Sequence, residues 1–379
     1  MCLPKRKRQR LWWNADRLNA SSEPGWKGPM RKKRVTIKDI AKTLGVSHST
    51  VSRALSRNKS HMVSEETRRQ VKQIAEEFSY RPNLLAKGFA TGKTGTLGLL
   101  ACECYQEQAG VQIESFLRAA DERNYRLLVG MSGEWNSSTP EVDQATQIEQ
   151  FISRGIDGLL VQTIGDTGEP ERIQAAVDGR VPVVTFHYPA SGFPGVHLDF
   201  AAGFYRATEH LIGLGHKRIG FLGENWEGPG QGSSRGRGYF NAMNEYGLHP
   251  ESLPVGRQET ESGYRLSREV KGRYSALVCC TDYTAIGVYR GLGESGIRIP
   301  EDVAVVGCGD SDVSAFVTPA LTTQSTPTRD IARAAMDLML KIIEGREVAC
   351  QIVLESSLIV RESCGSAAMD SSFSESQPS

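Results

Sequence analysis

The chain of 379 residues is predicted to fold as a small all-α module followed by a larger α/β body. Between residues 36 and 80, apolar residues recur at helical spacing, whereas from about residue 96 short continuous apolar runs alternate with amphipathic stretches. Continuous apolar strands separated by helices are typical of parallel sheets covered on both faces. The charge divides at the same place. Residues 31–95 carry +10 and residues 96–379 carry −14, although the whole chain carries only +1.

The first 30 residues lack usable periodicity and contain the basic run "KRKRQR". Two interpretations stay open: a localisation or nucleic-acid-binding tail, or an upstream stretch that is not part of the working protein. We favour a disordered leader over residues 1–30, with Met30 as the preferred start. The stretch lacks the apolar segment and the small-residue cleavage site of a secretory signal.

Three short helices are predicted over residues 31–80. Thr36 can cap the first, and Gly45 allows the chain to turn sharply after it. Ser47 can cap a second helix. A third opens at Ser64 with two glutamates in its first turn, and "YRPN" ends it because the residue before a proline avoids the α region.

The second of these helices lies in "VSHSTVSRAL", residues 46–55, which is rich in hydroxyls and carries a histidine and an arginine. Two helices joined by a glycine turn are typical of a helix-turn-helix, whose second helix reads base edges in the major groove. Serine, threonine and histidine can donate to or accept from bases and phosphates, and Arg53 can bind a guanine in bidentate fashion. An ordinary capped surface helix remains the alternative if this segment is considered alone.

The body is predicted to form two successive α/β lobes over residues 95–362, after a linker at 81–94. Its strand-like runs are "TLGLLA", "YRLLVGM", "IDGLLVQ", "VPVVTFH", "KRIGFLG", "YSALVCC" and "DVAVVGC". Residues 363–379 are small and polar, and we expect a disordered tail there. That tail has no heptad leucines, which argues against a C-terminal coiled-coil tetramer. The sequence contains no run of 18 apolar residues, so it does not predict a membrane-spanning helix.

The segment from "VTIKDIAKTLGVSHSTVSRAL" through residue 94 closely resembles the headpiece of the lactose-repressor family of bacterial transcription regulators. The body matches the landmarks of that family in order: "GHKRIGFLG", "RGRGYFNAM", "TDYTAIGVYRGLGESGIRIPEDVAVVGCGD" and "TPALTT". The resemblance covers about residues 35–362. It implies a helix-turn-helix headpiece at 31–80, a hinge helix within 81–94, and a two-lobed body like that of periplasmic binding proteins.

The resemblance also implies which residues contact DNA. Base reading falls on His48, Ser49 and Arg53. The remaining DNA-binding positions, mainly phosphate contacts, are Thr36, Ser47, Thr50, Ser52, Asn58 and Asn83. Phe89 stands where the family inserts a leucine wedge into the minor groove, and Gly88 before it weakens the free hinge helix by about 1 kcal/mol relative to alanine. We therefore expect a hinge that orders on DNA. Packing of Phe89 against the partner hinge of a dimer is the alternative.

For the body, the resemblance implies that the two lobes close on a small molecule at the carboxyl ends of their strands. Arg235 takes the place of the effector-clamping arginine of the family. Asp282 is expected either to accept hydrogen bonds from ligand hydroxyls or to cap its own helix. The family commonly has an aromatic residue and then an aspartate after "VG". Here the run is "GCGD", so the ligand carboxylate is shifted to Asp310 or lost.

Aromatic side chains also lie at predicted strand exits. Phe186, His187 and Trp226, with Tyr188, are expected either to stack on a sugar or base face or to pack within a lobe. Five cysteines fall at or near strand ends: Cys102, Cys104, Cys279, Cys280 and Cys308. A thiol-based sensor is conceivable, but buried cysteines acting as small apolar residues are favoured.

Together these observations predict a ligand-responsive, sequence-specific transcriptional regulator, most simply a repressor. It is expected to bind a pseudo-palindromic operator as a homodimer, to take a sugar-like effector, and to reside in the cytoplasm at the nucleoid. We expect no cofactor, metal or catalytic residues, because no metal-ligand spacing, nucleophile elbow or complete Walker loop occurs. The alternative is a ligand-sensing protein whose signal is a thiol reaction or a protein partner rather than a sugar. The +10 balance of residues 31–95 opposes a pure sugar receptor.

Overall fold

The computed structural model describes residues 35–55, 62–80, 93–102, 106–132, 144–163, 170–223, 233–256 and 259–366. The chain divides into two compact units, one ending at Lys87 and the other beginning at Gly88. The leader, the hinge and several residues predicted to act in binding lie outside the described ranges, namely Asn58, Asn83, Phe89, Cys104 and Trp226. No described helix has both the length and the hydrophobicity needed to cross a membrane.

The N-terminal unit contains the three predicted helices: α1 (Ile37–Leu44), α2 (His48–Ala54) and α3 (Glu65–Glu77). Its core is formed by Ile40, Ala41, Val51, Ala54, Val71 and Ala75. Thr36 precedes α1, and both its amide and its hydroxyl donate hydrogen bonds to the carboxylate of Asp39 at 2.7 Å. Gly45 ends α1 with φ at +66°, a left-handed conformation that costs other residues about 1–2 kcal/mol. The predicted turn between α1 and α2 is thus confirmed.

The body is built from strands, nearly all of them paired in parallel, and from the helices that connect them. In chain order these are β1 (Thr96–Cys102), α4 (Gln106–Glu122), β2 (Arg126–Ser132), α5 (Gln144–Ser153), β3 (Gly158–Gln162), α6 (Pro170–Val177), β4 (Val183–His187), β5 (Gly195–Leu198), α7 (Phe200–Gly213), β6 (Ile219–Gly223), α8 (Ser234–Glu245), β7 (Glu251–Pro254), α9 (Glu259–Leu266), β8 (Ala276–Cys279), α10 (Asp282–Glu294), β9 (Ala304–Gly309), β10 (Thr322–Ser325), α11 (Thr328–Ile343), β11 (Gln351–Leu354) and β12 (Leu358–Ile359). All seven apolar runs singled out in the sequence form strands.

Two six-stranded sheets organise these elements within the described residues. The first has the order β11-β5-β4-β3-β1-β2 and the second the order β12-β10-β9-β8-β6-β7. All pairings in the first sheet are parallel, and in the second only β12 is antiparallel. Helices α4 and α11 share a core with the first sheet, and α7 and α8 share one with the second. Each sheet therefore forms one α/β lobe, and the carboxyl ends of its parallel strands share one edge.

The prediction that the two lobes follow one another along the chain is wrong. The chain leaves the first lobe after β5, builds most of the second, and then returns to the first for α11 and β11. Helix α11 returns because its apolar side chains complete the core of the first lobe. These are Ile331, Ala335, Met336 and Met339. In addition, β11 pairs in parallel with β5. The alternating exposure of β11 is that of an edge strand, which carries no continuous apolar run to announce it.

The boundary predicted between the body and a disordered tail at residue 363 also needs correction. Ser363 and Cys364 are buried in the second lobe. The hydroxyl of Ser363 donates to the carbonyl of Val305 at 2.6 Å and accepts from the amide of Thr322 at 2.8 Å. Small polar residues thus satisfy buried backbone groups here, and the second lobe extends beyond residue 362.

Candidate functional site

The surface of α2 carries the polar residues that the sequence predicts to contact DNA. Val51 and Ala54 are buried against the other two helices, whereas His48, Ser49, Ser52 and Arg53 are exposed. Since no residue of α2 is acidic, nothing on the helix itself repels a phosphate backbone. The exposed side chains can reach base edges or phosphates without any rearrangement of the core.

Three hydroxyls are held together at the start of α2. The Ser47 hydroxyl accepts from the amide of Thr50 at 3.1 Å, so Ser47 is the N-cap, as predicted. The same oxygen lies 2.7 Å from the Ser49 hydroxyl and 2.9 Å from that of Thr50. Ser47 therefore has a structural role besides the phosphate contact that the sequence suggests for it.

The second candidate site lies where β4, α7 and the start of α8 meet. Arg235, the second residue of α8, is 8% exposed, and its guanidinium carbon lies 4.1 Å from the centroid of the Phe200 ring. The same guanidinium donates to the hydroxyl of Tyr188, whose ring stacks on Phe200 at 4.9 Å. Tyr188 follows a strand of the first lobe, whereas α8 belongs to the second. Arg235 thus joins the two lobes at their cleft edge.

A cavity of about 420 Å³ opens beside this contact. It is lined by Tyr188, Pro189, His197, Leu198, Asp199, Phe200, Ser234, Arg237, Gln351 and Val353. A volume of this order suits a small molecule. The lining includes both aromatic rings of the lobe junction. Tyr188, which the sequence places among the possible stacking residues, lines this cavity. Among the described residues, Phe186, His187, Arg235, Asp282 and Asp310 do not line it, although Ser234 precedes Arg235 directly.

His187 ends β4 in a left-handed conformation, with φ at +79°. Its Nδ1 lies 3.4 Å from the side-chain nitrogen of Gln162, whose oxygen accepts from the buried Gln112 at 3.2 Å. The Nε2 atom is buried and has no hydrogen-bond partner in the part of the chain that the structure describes. Burial and the charge of Arg235 lower the pKa of His187 to about 4, so the ring is neutral at pH 7. The two glutamines were missed from sequence, although a polar residue ending the apolar run "LLVQ" was a signal for Gln162.

The carboxylate of Asp282 is occupied within the second lobe. It is fully buried and accepts from the amide and hydroxyl of Ser311 at 2.8 and 2.9 Å, and from the hydroxyl of Thr323 at 2.6 Å. Burial raises its pKa above the ordinary value. The capping alternative for Asp282 is wrong, because Thr281 is the N-cap of α10 and accepts from the amide of Thr284.

Asp310, the shifted candidate for a ligand carboxylate, is also engaged. Its Oδ1 lies 2.6 Å from a guanidinium nitrogen of Arg361, and the guanidinium also donates to Ser314 and to the carbonyl of Leu321. This partner comes from a segment 51 residues further along the chain. In this conformation the carboxylates of both Asp282 and Asp310 have partners within the second lobe.

Phe186 lies in the core of the first lobe and not at the cleft surface. Its side chain is fully buried, with its ring centroid 4.7 Å from that of Phe116. It meets the His187 ring edge-on at 5.6 Å. The stacking role expected of Phe186 therefore needs correction, since no face of the ring is open to a ligand. The ring instead supports His187.

Of the strand-end cysteines, Cys279, Cys280 and Cys308 are buried free thiols. Burial raises the pKa of Cys308 to about 11, although the adjacent Arg235 acts in the opposite direction. It also raises that of Cys279 well above the ordinary value. Protonated, buried thiols are poor nucleophiles, which favours the interpretation of these residues as small apolar side chains. Within the described residues no cluster of three histidine, cysteine or acidic side chains is suited to a metal ion.

Comparison with known proteins extends this picture. The family "Bacterial regulatory proteins, lacI family" matches residues 36–83, and the "Periplasmic binding protein-like domain" matches residues 208–364. The HTH-type transcriptional repressor PurR of Pasteurella multocida is 31% identical over 337 residues, which span 86% of this chain and 98% of PurR.

Two solved structures have a similar fold. A lac repressor dimer bound to operator and the anti-inducer ONPF has a TM-score of 0.75 at 24% identity, over 88% of this chain and 99% of the other. A complex of the transcriptional regulator CelR with cellobiose has a TM-score of 0.60 at 27% identity, over 87% of this chain and 100% of the other. At 24% identity the first likeness shows the fold alone. The relatives named here are regulators of transcription.

Proposed function

Since the chain belongs to the lacI family of bacterial regulatory proteins, it is a DNA-binding transcriptional regulator, and we propose that it acts as a homodimeric repressor. It binds a pseudo-palindromic operator and responds to a small-molecule effector, a sugar or sugar derivative. The DNA-binding part of this proposal rests on the exposed polar face of α2. This helix is capped and packed, and its exposed side chains are His48, Ser49, Ser52 and Arg53.

The operator follows from the geometry of a helix-turn-helix. One α2 from each subunit enters the major groove, so the two half-sites lie about one helical turn, or 10 base pairs, apart or at a multiple of it. Arg53 reads a guanine, and the hydroxyls around Ser47 bind phosphates. Asn83 and Phe89, which lie outside the described residues, keep the hinge roles that the sequence suggests. A nucleoid location in the cytoplasm follows from the operator as partner.

Effector binding acts through the junction of the lobes. Arg235 contacts Tyr188 and Phe200 and lies beside Cys308, so a ligand that engages its guanidinium changes contacts on both lobes. A change in the angle between the lobes would alter the spacing of the hinges, provided that the ligand binds one arrangement better than the other. The cellobiose bound to CelR supports a sugar-like ligand.

The DNA-binding proposal is tested by selecting binding sites from random oligonucleotides with the full chain, followed by gel shifts on the best site. Arg53→Ala should weaken binding to that site by about 1–3 kcal/mol, roughly five- to 150-fold, and should relax base choice at one position of each half-site. Arg69→Ala is the matched control, since it removes one exposed positive charge from α3 of the same unit. It should leave the selected motif unchanged.

Two results would overturn the proposal. Selection that yields no enriched motif would remove sequence-specific binding, and an unchanged motif with Arg53→Ala would remove Arg53 from base reading. The repressor and dimer claims have separate readouts. The selected site, placed over a reporter promoter, should lower transcription when the protein is expressed, and sedimentation should give twice the chain mass of 41.5 kDa.

A further inference from the structure

The chain enters the body through residues 93–95, at the end of the linker that the sequence predicts. These residues lie at the amino ends of three strands, because β1 begins at Thr96 and its parallel neighbours begin at Arg126 and Gly158. Open α/β sheets bind ligands at the opposite edge, outside the carboxyl ends of their strands. The contacts made at this entry are therefore separate from any effector site in the cleft.

Asp157, the residue directly before β3, holds the entry with its side chain. Its Oδ1 accepts from the amide of Thr94 at 2.7 Å and from the hydroxyl of Thr94 at 3.0 Å, and its Oδ2 accepts from the amide of Gly95 at 2.7 Å. Hydrogen bonds to an ionised acceptor are roughly twice as strong as neutral ones. Gly95 turns with φ at +69°, a left-handed conformation that glycine adopts readily. One carboxylate thus binds two consecutive backbone amides that lie before β1.

Two further elements of the first lobe contact the same short segment. The carbonyl of Gly95 accepts from the amide of Arg126, the first residue of β2, at 2.9 Å. The ammonium group of Lys93 lies 3.4 Å from the carbonyl oxygen of Ile343, the last residue of α11, where a positive charge is favourable. The entry is thereby tied to β2, β3 and α11. Among these contacts, those of the Asp157 carboxylate can be removed by substitution without altering the main chain.

The direction of the chain at this entry matters because the headpiece precedes it. In a homodimer on a pseudo-palindrome, each headpiece reaches its half-site through the linker that ends at residue 94. One inserted base pair moves the half-sites about 3.4 Å apart and turns them by about 35° about the DNA axis. A firmly held entry resists that change, whereas a loosely held entry accommodates it.

We propose that Asp157 is a positioning residue for operator recognition. By fixing the chain where it leaves the first lobe, its carboxylate determines the half-site spacing that the dimer accepts. The hinge is expected to order on DNA, and an ordered hinge carries the direction set at residues 94 and 95 to the headpiece. The inference rests on the proposed function, since it requires two headpieces on one operator.

The test measures the spacing preference of the full chain in gel shifts. The selected operator is compared with versions that have one base pair inserted or removed at the centre, and the ratio of dissociation constants is taken. The wild type should prefer the selected spacing at least about tenfold, a ratio comparable to the loss of one hydrogen bond to a charged group. Asp157→Asn replaces one carboxylate oxygen by an amino group that cannot accept, so this preference should fall to about threefold or less.

The ratio separates positioning from a general effect on folding, because one protein preparation is titrated on every operator and its folded fraction cancels. Asp178→Asn is the matched control. It removes an exposed carboxylate from the same lobe at a left-handed residue, φ +48°, which asparagine tolerates, and it should keep the wild-type preference. Thr94→Ser retains the hydroxyl and should also keep it, whereas Thr94→Val should lower the preference at least about twofold. Thr94→Val carries the test if Asp157→Asn does not fold.

An unchanged preference in Asp157→Asn, whatever its stability in urea, would assign the residue a structural role only and overturn the inference. The same holds if the wild type scarcely distinguishes the spacings, or if Asp178→Asn loses as much preference as Asp157→Asn. Failure of the proposed function appears earlier and separately. It would be a selection that yields no motif of two paired half-sites, before any spacing variant is made.

Discussion

His197, a buried residue of β5, should make the stability of the body depend on pH. Its side chain is 4% exposed, and Nε2 lies 3.5 Å from the hydroxyl of Thr185. Burial lowers the pKa of His197 from 6.5 to about 4, although a hydrogen bond with Gln351 opposes the shift. The folded protein therefore holds this ring neutral over a range in which the unfolded chain protonates it.

The sign and size of the effect follow from this difference. Because the folded pKa is depressed, the contribution is complete above pH 6.5 and is lost as the pH falls from 6.5 towards 4. Between pH 7.5 and pH 5.5 the ring should lower the free energy of unfolding by about 1 kcal/mol. His187, whose pKa is also lowered to about 4, should act in the same direction.

The measurement is urea unfolding of the wild type and of His197→Asn at pH 7.5 and 5.5, followed by circular dichroism. Only the change between the two pH values matters, so any general destabilisation of the variant cancels. The wild type should lose about 1 kcal/mol more than the variant. Equal losses for the wild type and His197→Asn would show that burial does not hold this ring neutral.

Three further predictions concern packing, capping and the hinge. Gly238→Ala should destabilise the body by at least about 2 kcal/mol in urea unfolding, because its Cβ would lie 2.1 Å from the carbonyl oxygen of Ala201. Gly213→Ala, which meets open space, should cost nothing, and similar stability of the two variants would refute the close approach of α7 and α8. Ser47→Ala should speed hydrogen exchange of the α2 amides by an amount equal to about 1 kcal/mol, whereas unchanged protection would mean that the cap contributes little. Phe89→Ala should reduce operator bending in a circular-permutation gel shift, and unaltered bending would argue against the wedge.

The elements that the sequence predicted correctly share a local physical signal. Each predicted strand of the body is a continuous apolar run, and each headpiece helix has a cap and an apolar stripe. Strands β5, β7, β10, β11 and β12 were missed. None of them is longer than four residues, and β7, β11 and β12 lie at sheet edges with partly exposed side chains. The return of the chain to the first lobe has no local signature, since it depends on which core α11 completes.

Within the candidate sites the same distinction holds. The exposed face of α2 could be predicted, because helical periodicity alone decides which residues face away from Val51 and Ala54. Whether the cleft carboxylates are engaged could not be predicted, because their partners are distant in sequence. Thr323 lies 41 positions from Asp282, and Arg361 lies 51 positions from Asp310. A residue type at a strand end therefore indicates where a site lies, but distant partners decide what remains free to act there.

The interleaved order of the lobes has a consequence during synthesis. A ribosome releases β5 long before β11, which must lie beside it, and before α11, which covers the same sheet. Residues 199–350 separate the two strands, and at 5–20 residues per second these roughly 150 residues take about 8–30 s to emerge. Through that interval the first sheet has an open edge and an uncovered apolar face, while the chain needed for the second lobe is already largely available. The first lobe therefore begins folding before the second but cannot complete its sheet and core until α11 and β11 have emerged. Its uncovered apolar face is the nascent surface that we expect a chaperone to bind.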